Sequence, residues 1–120
     1  MNRCILIVED DLKNLKLVRD LLQVSGYVTI EATNGKQGVE MARTKKPDLI
    51  LMDIQMPVMD GLEAIKILKG DDATKGIPIV ALTAYAMKGD EEKMIEVGCD
   101  GYIPKPIDIK GFLKIVAKHF

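Results

Sequence analysis

The sequence contains no tryptophan, a single histidine and two cysteines, and its acidic and basic residues nearly cancel to a formal net charge of −1. Each scarcity closes off a class of function. Cys4 and Cys99 lie far apart with no CxxC spacing or other cluster that would suggest metal or redox work. They read instead as unpaired structural thiols, Cys4 opening a buried strand and Cys99 standing just past a helix end. His119 is isolated at the end of the chain, where an imidazole is ordinarily solvated, and it is assigned no chemistry. A charge balance this even supplies no basic field for nucleic acid. Apolar runs such as Leu49-Ile50-Leu51-Met52 fall far short of the roughly 20 residues that span a bilayer. The start, Met1-Asn2-Arg3-Cys4, lacks a signal-peptide pattern, so a soluble, cytoplasmic protein is expected.

What is present is enough apolar material for one core. Hydrophobic residues make up 48% of 120 residues, which fits one domain over residues 1–120 and leaves no room for a second. There is no internal repeat, low-complexity stretch or linker. Ile5–Val8, Leu49–Met52 and Ile79–Leu82 are short, continuous apolar runs bounded by polar or turn residues, the pattern of parallel strands covered on both faces. Between them the apolar residues recur at helical spacing: Leu12, Leu15, Val18 and Leu22; Val39 and Ala42; Leu62, Ile65 and Leu68. Asn34 with Gln37, and Asp60 with Glu63, have capping-box spacing, while Gly26, Gly70 and Gly98 stand where helices should end. A short strand at Tyr27–Glu31, another near Tyr102–Ile103 and a last helix from about Asp108 complete five strand-helix repeats. The predicted fold class is α/β, a five-stranded parallel sheet of flavodoxin-like (βα)5 order 2-1-3-4-5 with helices on both faces.

In such a sheet ligands bind beyond the carboxyl ends of the strands. Four strands deliver polar groups to that edge: the first leads into Glu9 and Asp10, the third into Asp53, the fourth into Thr83 and the fifth into Lys105. One acid at a strand end is more often a cap or a solvated turn residue, the reading given to Asp11 and Asp60. Three carboxylates gathered together repel, and a cation must neutralise them or one must keep its proton. Mg2+ suits a shallow, all-oxygen site better than Ca2+ or Zn2+. Asp10 and Asp53 are the expected direct ligands, with Glu9 acting through water and the backbone carbonyl of Gln55 adding another. Pro57 and Gly61 suit a fixed turn in that loop. A carboxylate can attack phosphorus when the charge on the transferring oxygens is absorbed. Asp53 is the candidate nucleophile, Lys105 the cation and Thr83 the hydroxyl donor. Lys105-Pro106 also invites a cis bond.

Ile7-Val8-Glu9-Asp10-Asp11, Asp48 through Pro57, Asp60-Gly61, Ala81-Leu82-Thr83-Ala84 and Lys105-Pro106 together resemble the receiver pattern of bacterial response regulators. The resemblance covers essentially the whole chain. The stretch Ala86 to Glu92 further resembles stand-alone receivers of the DivK and CheY kind, and the receivers attached to hybrid histidine kinases. It implies phosphorylation of Asp53 by a phosphohistidine on a sensor kinase or phosphotransfer protein, with Mg2+ as cofactor and Glu9, Asp10, Thr83 and Lys105 as partners of the acceptor. It implies a switch, in which the Thr83 hydroxyl moves to the phosphoryl group and Tyr102 turns inward. A downstream protein would then read the face of the fourth helix, fifth strand and fifth helix, including Met87-Lys88-Gly89. Tyr102 equally suits a core-edge aromatic, and Met87 and Met94 equally suit core filling. Monomer or weak dimer is the expected state. Glu replaces the commoner Asp at position 9, and Gln55 and Tyr85 occupy positions where the family tunes phosphoryl lifetime.

Other readings use the same residues. A phosphorelay carrier or phosphate sink shares the mechanism, as does a receiver excised from a hybrid kinase; Met1 and the absent linker favour independence modestly. A Mg2+-dependent phosphatase with an aspartate nucleophile ordinarily shows Asp-x-Asp, and Gln55 fills the second position, so independent turnover of a substrate is not expected. A flavodoxin-like cofactor binder conflicts with two acids after the first strand, which repel a phosphate.

Overall fold

Alternation of short apolar strands with amphipathic helices produces a doubly covered sheet in the computed structural model of the chain, which describes residues 3–54, 59, 61–83, 92 and 94–120. In chain order the elements are β1 (Cys4–Val8), α1 (Leu12–Val24), β2 (Val28–Ala32), α2 (Gly35–Lys45), β3 (Leu49–Asp53), α3 (Gly61–Gly70), β4 (Ile79–Thr83), β5 (Gly101–Pro104) and a C-terminal helix (Ile109–Lys118). Residues 94–96, between β4 and β5, are also helical. The sheet order is β2-β1-β3-β4-β5, and every pairing is parallel. This is the predicted topology.

Strand side chains alternate between two cores. Leu6, Val8, Ile50, Met52, Ile79 and Ala81 pack toward α2 and α3, while Ile5, Ile7, Leu49, Leu51, Val80 and Leu82 pack toward α1 and the C-terminal helix. Each such Leu, Ile or Val contributes about 1.5–3 kcal/mol relative to exposure. Met94 is buried in the first core, where it fills space between the sheet and the helices. Leu12 departs from the expected buried stripe: it is 70% exposed, because the first residue of α1 stands beyond the sheet it would have to cover.

The helix ends show which local signals acted. Asp11 is the N-cap of α1, accepting from the Lys13 N–H, and Asp108 caps the C-terminal helix through Gly111. Asn34 accepts from the Gln37 N–H at 2.9 Å, but Gln37 returns its bond to Thr33 N–H at 3.0 Å, so the capping box closes one residue early. Gly26 and Gly98 have φ of 94° and 97°, whereas α3 runs through Gly70 as its last residue. Lys46, with φ 46°, supplies the left-handed cap of α2, a role its residue type does not announce. Asp60, the other proposed box residue, lies outside the described residues. β2 begins one residue later than predicted, at Val28.

Candidate functional site

The backbone ladders of the sheet continue past the strand ends and carry the polar residues with them. Glu9 N–H donates to the Ala32 carbonyl at 3.0 Å, Ile54 N–H to Leu82 at 3.1 Å, and Lys105 N–H to Thr83 at 2.7 Å. Glu9, Asp53, Thr83 and Lys105 are therefore fixed by main-chain hydrogen bonds at or next to their own positions. The start of α3 lies against the same edge. A Cβ on Gly61 would fall 2.3 Å from the Asp53 carbonyl oxygen and 2.5 Å from the Ile54 Cα, so only glycine permits this approach.

Glu9, Asp10 and Asp53 each offer a carboxylate oxygen within 4.8 Å of the others. Asp10 is exposed, while Glu9, Asp53 and Thr83 are buried. Lys105 enters between the buried acids, its Nζ lying 3.1 and 3.2 Å from the two Glu9 oxygens and 3.4 Å from Asp53 Oδ1. Its nearest partner is thus Glu9 rather than Asp53, because the longer side chain at position 9 reaches across the floor of the site. Burial, and then the adjacent Asp53 charge, pushes the Glu9 carboxyl up to about 7, against the pull of the Lys105 ammonium. Asn14 adds contacts that motif reading missed: its Nδ2 lies 3.4 Å from Glu9 Oε1 and 3.3 Å from Asp11 Oδ2. The i, i+3 spacing of Asp11 and Asn14 was the available sequence signal.

The remaining expectations divide. Thr83 and Tyr102 sit on neighbouring strands, where Thr83 pairs with Pro104 and Ala81 with Tyr102. Tyr102 is half-buried against the α2/α3 core, the core-edge placement anticipated for it. The Lys105-Pro106 bond is cis. Gln55, Pro57, Tyr85, Met87, Lys88 and Gly89 lie outside the described residues. Cys4 and Cys99 are free thiols, and burial raises the pKa of both, in keeping with structural rather than reactive roles.

All donors in the acidic cluster are carboxylate oxygens, and two buried acids share the Lys105 ammonium. That donor set fits a hard divalent cation: it is rich in negative oxygen and lacks nitrogen and sulfur ligands.

Comparison with known proteins places the chain in a family. The family model described as response regulator receiver domain matches residues 5–117. The chain is 49% identical over 119 residues to the polar-differentiation response regulator DivK of Brucella anthropi, covering 99% of this chain and 97% of that protein. The chemotaxis protein CheY4 of Vibrio cholerae superposes with a TM-score of 0.94 at 28% identity, over 100% of both chains. The receiver domain of the sensor histidine kinase PA1611 from Pseudomonas aeruginosa was solved with a magnesium ion coordinated in its active-site cleft. It matches at a TM-score of 0.91 and 32% identity, over 98% of this chain and 97% of that one.

Proposed function

Because the chain belongs to the response-regulator receiver family, we propose that it is switched by a phosphoryl group carried on Asp53 and received from a phosphohistidine on a sensor kinase or phosphotransfer protein. The observation that carries the assignment to Asp53 is its position. It is the buried acid that ends the central strand β3, within reach of Glu9 and Asp10 and 3.4 Å from Lys105.

In this reading Asp10, Asp53 and the backbone carbonyl of Gln55 would hold Mg2+, with Glu9 acting through water. When bound, the metal neutralises the cluster and the charge developing on the phosphoryl oxygens. The chain's own groups do the rest. An Asp53 oxygen attacks phosphorus as the bond to the donor imidazole breaks. Lys105 shifts from Glu9 toward the new phosphoryl oxygens, and Thr83 donates its hydroxyl to another. The buried position of Asp53 limits access by competing nucleophiles. Hydrolysis of the adduct resets the protein, which turns over no independent substrate.

Thr83 supplies the differential contact that couples the adduct to shape, since a ligand shifts an equilibrium only by binding one state better. Tyr102 follows from the adjacent strand. The readout face would be the region of residues 94–96, β5 and the C-terminal helix. Two shallow cavities support it: one of about 200 Å3 lined by Met94, Ile95, Cys99 and Tyr102, another of about 210 Å3 lined by Ile103, Pro104, Phe112 and Ile115. A protein partner there, a cytoplasmic setting and a monomeric or weakly dimeric state complete the proposal. No helix among the described residues is long and apolar enough to cross a membrane.

Intact-protein mass after incubation with acetyl phosphate and Mg2+ tests this directly. A labile phosphoryl adduct is expected in the wild type and not in Asp53→Asn or the chelated control. An adduct of equal yield on Asp53→Asn would remove Asp53 from its role.

A further inference from the structure

We infer that Asn14 is a positioning residue for this site, tying the Glu9 carboxylate to the first turn of α1; the inference rests on the phosphoacceptor reading above. Glu9 is fully buried, and Lys105 engages both of its oxygens. The Asn14 amide shares one of them, reaching Glu9 Oε1 at 3.4 Å, and also reaches Asp11 Oδ2 at 3.3 Å. Both bonds are long, as expected of one amide straddling two carboxylates, so each is individually weak. Asp11 is itself anchored, since its other oxygen accepts the Lys13 N–H at 2.9 Å.

The arrangement is a chain from the N-cap of α1 through Asn14 to Glu9 and on to Lys105 and Asp53. Lys105 has to leave Glu9 for the incoming phosphoryl oxygens, and a carboxylate without a tie to the scaffold would follow it. Asn14, fixed on α1, opposes that movement. It also restrains the Glu9 carboxylate beside Asp10 and Asp53, whose oxygens lie within 4.8 Å of it, where the three acids would serve Mg2+. The one-methylene-longer acid at position 9 makes such a brace useful, because its extra rotatable bond must be restrained for the carboxylate to serve as a fixed group.

The test compares Asn14→Leu, which keeps the branching of the side chain and deletes the donor, with Asn14→Gln, which keeps the amide. Mg2+ affinity is read by calorimetry on unphosphorylated protein, and Asp53 labelling by acetyl phosphate is followed at each variant's saturating Mg2+. Asn14→Leu should raise the Mg2+ dissociation constant about 3- to 10-fold, at or below the lower end of the cost of losing a group that orients a metal ligand. Labelling should slow, and Asn14→Gln should recover part of both. If Asn14 merely braces the helix start, Asn14→Leu will lower the unfolding temperature while Mg2+ affinity and labelling rate stay at wild-type values; that result overturns the inference. Should Asn14→Leu not fold, Asn14→Ala carries the same comparison. A wild type that binds Mg2+ but acquires no label would defeat the phosphoacceptor reading alone, leaving the affinity ratio to decide the role of Asn14.

Discussion

The two ends of the sheet use the same residue type in opposite ways. At the end where β1 and β4 begin, acids behave as strand extensions. Asp48 accepts the Cys4 N–H at 2.7 Å while its own N–H donates to the Cys4 carbonyl. Asp100 accepts the Ile79 N–H at 2.8 Å, returns a backbone bond to the same residue and takes the Lys69 ammonium at 2.9 Å. Every one of those carboxylates answers a specific donor. At the carboxyl end, Glu9, Asp10 and Asp53 crowd together, and two of them compete for one lysine. An acid matched to a main-chain donor is structural; an excess of acids over cations stores repulsion that a ligand can relieve.

Removing an acid should therefore have opposite signs at the two ends. Asp53→Asn should abolish the adduct and also stabilise the metal-free protein, by on the order of 2 kcal/mol at pH 8, because neutralising one member of a buried like-charged set removes repulsion. Chemical denaturation with chelator present measures it. A loss of stability would mean that Lys105 already balances the cluster.

Proton linkage sharpens the contrast in the unmutated chain. Glu9 titrates at about 7 in the fold, above its ordinary value of 4.5. The folded state thus keeps a proton that the unfolded chain has released. This contribution to stability is fully present below about 4.5 and is lost as pH rises through about 7. Without metal, the unfolding midpoint should fall over that window. Saturating Mg2+ should raise the midpoint more at pH 8 than at pH 5.5, since it requires ionised carboxylates. A Mg2+ effect equal at both pH values would break the link between the cluster and the metal.

At the other end, Asp100→Ala should cost about 1.5 kcal/mol, chiefly from stranding the Ile79 N–H. Its exposed pairing with Lys69 contributes less. Mg2+ affinity should stay unchanged; a change there would show that the two ends communicate through β4.

The sequence revealed the parallel order and which residues gather at the candidate site because both depend on short-range patterns: apolar runs that must be strands, and polar residues immediately after them. Glu9, Asp53, Thr83 and Lys105 were legible for that reason. Contacts set by side-chain reach were not. Motif spacing places Lys105 near Asp53, but its closer approach to Glu9 depends on the length of the acid at position 9 and on where β5 delivers the lysine. Leu12 matched the helical period and is nonetheless exposed, since periodicity cannot say where the sheet beneath a helix stops. Lys46 caps α2 in a conformation usually given to glycine, and nothing in its chemistry marks it.

The smallest effect belongs to a neutral group at the structural end, and it separates charge from hydrogen bonding as the source of the contrast. Thr74 is fully buried, and its hydroxyl donates to the Leu68 carbonyl at 2.7 Å near the end of α3. Thr74→Val keeps the shape and deletes the donor. The Leu68 carbonyl retains a longer bond of 3.4 Å from the Asp71 N–H, so it is weakened rather than stranded, and the loss should be about 1 kcal/mol with no dependence on pH or Mg2+. A pH-independent cost at Thr74 beside a pH-dependent gain at Asp53 would establish that unbalanced charge sets the carboxyl end apart. A Thr74→Val cost that changed with Mg2+ would instead mean that α3 transmits the state of the acidic cluster to its far end, and the two ends would have to be treated as one coupled unit.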